Sequence, residues 1–117
     1  MSIRVMVVDD SRLVRVQLGD VLEGTDYEIV AYCRSGEDAI AQFDEVKPDL
    51  VTMDIIMTGM DGLDASEIIL KQHPDARIVM VSSLAYDDTF ERAKAIGVKG
   101  FVDKPFHKEQ LLKIFEQ

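Results

Sequence analysis

A chain of 117 residues with 47% hydrophobic and 30% charged residues has the size and balance of one folded domain, which excludes a disordered polypeptide. Its 22 acidic residues outnumber 13 basic ones for a net charge of -9, and such a chain repels nucleic acid unless its cations cluster, which along the sequence they do not. The longest uncharged stretch, Ile78–Tyr86, is far short of the roughly 20 apolar residues of a membrane span, and Asp9 and Asp10 break the first apolar run too early for a signal peptide. The single Cys33 excludes an internal disulfide, no zinc spacing exists, and the reading is a cytoplasmic binding or signalling domain.

The first apolar run, Ile3–Val8, is predicted as a strand and ends at Asp9-Asp10. Val14, Leu18, Val21 and Leu22 then share one helical face. A second run, Glu28–Cys33, precedes Ser35, which stands three residues before Asp38 as in a capping box. Ile40, Phe43 and Val46 line the second helix, which stops before Lys47-Pro48. The third run, Leu50–Met53, leads to Asp54. After Gly62 the residues Leu63, Ala65, Ile68 and Ile69 give a less regular helical face, stopped at His73-Pro74. The fourth run, Arg77–Ser82, is followed by Phe90, Ala93 and Ile96 at helical spacing, with Gly97 as a C-cap. Gly100–Val102 is the fifth run; Leu111, Leu112 and Phe115 line the last helix.

Three runs, Val5–Val8, Leu50–Met53 and Ile78–Val81, show no polar alternation. A strand apolar at every position has both faces covered, as in a parallel sheet. Five β-α units of roughly 23 residues each hold a short strand, a helix and their loops, and are too few for an eight-fold barrel. The expected fold is therefore α/β, a doubly wound five-stranded parallel sheet with five helices on its two faces, in one domain over 1–117.

In open parallel sheets, ligands sit beyond the C-terminal strand ends. There stand Asp9 and Asp10, then Asp54, then Ser82 and Ser83, then Asp103 and Lys104. With strand two at an edge, the other four strands converge on one crevice. Three carboxylates in one crevice resist ionising together. A hard cation such as Mg²⁺ relieves this and accepts carboxylate and phosphate oxygens. Lys104 supplies a point charge for an anion, Ser82 a hydroxyl donor, and an aspartate can act as a phosphoryl nucleophile. These parts suit metal-assisted phosphorylation of a carboxylate.

The chain resembles the receiver domain of bacterial two-component response regulators, in the CheY-like single-domain form. The residues that carry the resemblance are Val7–Ser11, Met53–Met57 followed by Gly59–Gly62, Val81–Ser83, and Lys104-Pro105-Phe106. Each motif is weak alone; all four in order at matching distances are specific. The resemblance implies the flavodoxin-like strand order 2-1-3-4-5, for which CheY is itself a standard example. It implies that Asp54 accepts a phosphoryl group from a sensor histidine kinase or phosphotransfer protein. It implies that Asp9, Asp10, Asp54 and the backbone carbonyl of Ile56 hold Mg²⁺. Ser82 and Lys104 match the hydroxyl and ammonium that meet the phosphoryl oxygens, and Phe101 matches the aromatic switch position. The peptide before Pro105 is usually cis in the family. Signalling is expected through helix 4, strand 5 and helix 5 to a downstream output protein, with a phosphatase as a further partner. Ile56 and Leu84 match the two positions that flank the water's approach to the phosphoryl group. Two departures stand out: Thr58 where the family often has proline, and Phe101 where it often has tyrosine.

Plainer readings exist for each residue. Asp10 alone reads as the cap of helix one, and Asp61 and Asp64 as a solvated helix start. His73 and His107 read as surface residues, Cys33 as a buried apolar group, and the methionines as packing. Two other functions compete. Aspartyl-phosphate phosphatases place two acids as Asp-x-Asp after strand one, whereas Asp9 and Asp10 are adjacent. A flavodoxin-type carrier needs a neutral phosphate loop where Asp9-Asp10-Ser11-Arg12 stands. The chain is thus expected to be no enzyme but a phosphoacceptor that assists its own phosphorylation and dephosphorylation. A free-standing regulator is favoured, and a receiver cut from a longer DNA-binding regulator is the alternative.

Overall fold

A computed structural model describes residues 2–83 and 87–117. Strands and helices alternate: β1 (Ile3–Val8), α1 (Arg12–Leu22), β2 (Tyr27–Cys33), α2 (Gly36–Val46), β3 (Leu50–Met53), α3 (Gly62–Gln72), β4 (Ile78–Ser82), α4 (Asp87–Ile96), β5 (Gly100–Asp103) and α5 (Lys108–Phe115). The strands form one sheet in the order β2-β1-β3-β4-β5, every pair parallel. This is the doubly wound parallel architecture expected, with the strand order that the resemblance implies. Three strand limits differ slightly from expectation. Tyr27 joins β2 because it pairs with Ile3, β4 starts one residue later at Ile78, and Asp103 belongs to β5 because it pairs with Ser82.

Two cores explain why the strands are apolar throughout. Along β1, Val5 and Val7 enter one core with Val14, Leu18, Leu111 and Phe115, from α1 and α5. Met6 and Val8 enter the other with Phe43, Leu63, Ile69 and Ala93, from α2, α3 and α4. Each fully buried aliphatic side chain is worth about 1.5–3 kcal/mol, so both faces of the sheet drive folding. Cys33 is fully buried and four of the methionines, Met6, Met53, Met57 and Met80, are core residues.

Helix ends follow side-chain chemistry. Ser11, Ser35 and Asp61 are the N-caps of α1, α2 and α3, accepting from the N–H groups of Val14, Asp38 and Asp64. The cap of α1 is thus Ser11, which corrects the plainer reading of Asp10 and leaves that carboxylate for another role. Lys47 turns left-handed before Pro48, and Gly97 (φ 109°) ends α4 with the N–H of Val98 on the carbonyl of Ala93. Asp64 is more than a solvated helix start, since it pairs with Arg92 across to α4. His73 is half-buried, stacked on Phe43 at 4.5 Å and 2.8 Å from Asp44, whereas His107 is exposed.

Candidate functional site

Strand register assembles the site. Val8 lies opposite Cys33 on one side and Met53 on the other, so β1 and β3 end at the same level. The next residues continue the ladder: Asp9 N–H donates to Cys33 O and Asp54 N–H to Val8 O, both at 2.9 Å. On the far side Ser82 lies opposite Asp103, and Lys104 N–H donates to Ser82 O at 3.0 Å. The Lys104–Pro105 peptide is cis. Gly62 closes the loop after β3, its N–H 2.8 Å from Ile55 O.

Four of the seven residues singled out in the sequence meet directly. Carboxylate oxygens of Asp9, Asp10 and Asp54 all lie within 4.8 Å of one another. Asp9 is 2% exposed and Asp54 8%, while Asp10 is open to solvent. Lys104 Nζ donates to Asp9 Oδ2 at 2.8 Å and lies 3.4 Å from Asp54 Oδ2. Asp9 Oδ1 also accepts Ser11 N–H, and Asp54 Oδ1 accepts Ile55 N–H, each at 2.8 Å. Burial, and then repulsion from Asp9, push the Asp54 carboxyl up to about 6, against the opposing pull of Lys104 and the Ile55 N–H. Asp54 is therefore the strained member of the cluster. An all-oxygen donor set at this spacing can hold a hard divalent cation.

The other three residues flank the cluster. Ser82 is buried at the end of β4. Ile56 lies in the loop after Asp54 and is 63% exposed. Phe101, on β5, is half-buried against the exposed Phe90 of α4, their ring centroids 5.3 Å apart. Leu84 lies outside the described residues. Asp103 is exposed at the end of β5 and is not among the clustered carboxylates. One contributor was not legible as a site residue: Gly62, although it ends the quoted Gly-Met-Asp-Gly motif.

The response regulator receiver domain family matches residues 5–116, and the chain belongs to that family. It is 35% identical to the chemotaxis protein CheY of Listeria monocytogenes over 115 residues, 98% of this chain and 97% of that one. Its fold matches a chain of the CheX–CheY–BeF₃–Mg²⁺ complex from Borrelia burgdorferi with a TM-score of 0.92 at 28% identity, covering 97% of this chain and 86% of that one. It matches the response regulator domain of Thermotoga maritima CheB with a TM-score of 0.88 at 33% identity, covering 99% and 96%. The chain is thus a CheY-like receiver domain, of a family whose general property is phosphorylation-dependent switching. Among the described residues, no helix is long and apolar enough to cross a membrane.

Proposed function

We propose that Asp54 is the phosphoacceptor of a two-component signalling switch, fed by the phosphohistidine of a sensor histidine kinase or phosphotransfer protein. The observation that carries this reading is one buried carboxylate, Asp54, set among two further acids and the Lys104 ammonium at the C-terminal edge of the sheet. In the reaction, an Asp54 oxygen bonds to phosphorus as the P–N bond to imidazole breaks, and the imidazole nitrogen takes up a proton. Asp9, Asp10, Asp54 and the Ile56 carbonyl would hold Mg²⁺, which supplies the positive charge that two anionic reactants need to approach in line. Lys104 is already beside Asp54 to pair with a phosphoryl oxygen, and the Ser82 hydroxyl serves a second. Hydrolysis returns Asp54 and inorganic phosphate. The chain acts on itself in both steps and is no enzyme toward other molecules.

Two surfaces suit partners in the cytoplasm. Arg12, Arg15 and Arg34 make no ion pair among the described residues, although the chain as a whole is acidic. They line a cavity with Val16 and Tyr32 beside the site, and with exposed Leu13 they suit the approach of an acidic phosphodonor. The α4-β5-α5 face, where Phe90 meets Phe101, suits an output protein. Movement of Ser82 toward the phosphoryl group would make room for Phe101 to turn inward, a shift in populations that already exist. Phe101 has no hydroxyl, so the switch works by packing alone.

The test is intact mass after mixing with acetyl phosphate and Mg²⁺. One phosphoryl group should be added, with none in Asp54→Asn and none in excess chelator. Labelling that persists in chelator, or in Asp54→Asn, refutes the assignment.

Decay of the phosphorylated form should be slow for this family. Ile56 is bulky and aliphatic, and cannot aim a water at phosphorus. Positioning is most of what a protein contributes to phosphoryl transfer. Ile56→Asn should speed decay about tenfold, equivalent to about 1.4 kcal/mol of barrier. Decay of both phosphoproteins in Mg²⁺ without kinase measures this, and equal rates would show that Ile56 shields nothing.

A further inference from the structure

We propose that Glu37 is a positioning residue that holds the loop between β3 and α3 in place for the phosphorylation site. The proposal deepens the function given above and rests on it where the Ile56 carbonyl is concerned. Glu37 lies on the first turn of α2. Its Oε1 accepts the backbone N–H of Met60 at 3.1 Å, across 23 residues of sequence. The carboxylate also lies close against Gly59, where φ is +84° and an added Cβ would sit 2.8 Å from Oε2 and 3.1 Å from Oε1. Glycine at 59 thus serves the backbone turn and admits the carboxylate. The start of α2 rests on the same segment: a Cβ on Gly36 would meet Met60 O at 3.0 Å and Ala65 Cβ at 2.8 Å.

The loop is also tied at its base and middle. Gly62 N–H reaches Ile55 O at 2.8 Å, and the Met57 side chain is buried in the core. Thr58 lacks the locked φ that proline would give. The Met60 side chain packs against the core, and the Glu37 bond adds a restraint on the backbone of this segment. Ile56 sits between the Ile55–Gly62 base and this segment, so its carbonyl direction depends on both anchors. Glu37 itself is well placed, because a carboxylate is favoured in the first turn of a helix. The bond is open to water, so its contribution is to geometry more than to global stability.

The test compares Glu37→Ala and Glu37→Gln in the full chain. Glutamine keeps an acceptor oxygen and removes the charge; alanine removes both. In Glu37→Ala the Met60 amide should exchange faster, and Mg²⁺ should bind about tenfold more weakly, as when other outer supports of a metal ligand are lost. Acetyl phosphate labelling of this variant should need more Mg²⁺ yet reach the wild-type rate at saturation. Glu37→Gln should stay close to wild type in all three. Equal weakening in both variants would overturn the proposal, because it would mark a long-range charge effect. Unchanged Met60 exchange and Mg²⁺ affinity in Glu37→Ala would overturn it as well. If wild type binds Mg²⁺ and takes no phosphoryl group, the phosphoacceptor reading falls. The alanine–glutamine difference in exchange and affinity then still decides for or against the latch.

Discussion

Replacing Gly62 with alanine should cost about 3 kcal/mol or more of folding stability, the upper end of the usual range for overpacking. A Cβ at this position would lie 1.8 Å from the carbonyl oxygen of Asp54, 2.8 Å from its carbonyl carbon and 2.9 Å from Met53 Cγ. The first two atoms are backbone and cannot rotate away, so either α3 or the end of β3 must move. Alanine gains up to about 1 kcal/mol over glycine within a helix, which the collision outweighs. Gly24→Ala is the control: its φ is +78° but nothing among the described residues lies within 4 Å of an added Cβ, so only the local strain of about 1 kcal/mol is expected. Urea melts of the two variants measure the difference. Equal losses would mean that α3 does not pack against the Asp54 peptide as described. Because the obstructing peptide is that of Asp54, Gly62→Ala should also slow acetyl phosphate labelling, while Gly24→Ala should leave it unchanged.

Most of the fold was legible because its causes are local. Apolar runs without alternation foretold two covered faces, and Val5/Val7 against Met6/Val8 show those faces filled by different helices. Ser35, Lys47-Pro48, His73-Pro74 and Gly97 marked helix ends because capping and breaking act within a few residues. The cluster of Asp9, Asp10, Asp54 and Lys104 was legible because strand ends in a parallel sheet share one edge. Long-range pairings were not legible. Nothing near Glu37 in sequence points to Met60, and nothing near Asp64 points to Arg92. The distribution of strain was also hidden. Repulsion among three acids suggests that removing Asp9 or Asp10 would stabilise the metal-free protein. Yet Asp9 anchors Lys104 and accepts the Ser11 N–H, and Asp10 is solvated. That leaves Asp54 as the place to relieve the strain.

Asp54→Asn should therefore stabilise the metal-free protein, and the gain should depend on pH. The Asp54 carboxyl titrates at about 6 in the folded protein, against 3.8 as its ordinary value. Burial is the first cause and the Asp9 charge the second. A raised carboxyl means that the folded form holds the proton more tightly than the unfolded chain. Stability contributed by this group is then full below about pH 4 and falls as pH rises toward 6, because unfolding releases a proton in that window. Above pH 6 the penalty is complete, about 3 kcal/mol at about 1.36 kcal/mol per pH unit. Asparagine cannot ionise, keeps an oxygen for the Ile55 N–H, and leaves Lys104 with Asp9. Urea melts in chelator should show Asp54→Asn more stable than wild type by about 2–3 kcal/mol at pH 8 and equal to it near pH 4. Taking the difference between the two proteins cancels the titration of acids that do not interact with Asp54. Added Mg²⁺ should narrow or reverse the gap at pH 8, since a ligand stabilises the protein that binds it more tightly. Parallel stability–pH curves for the two proteins in chelator would show that Asp54 carries no strain, and the charge balance assigned to the site would be wrong.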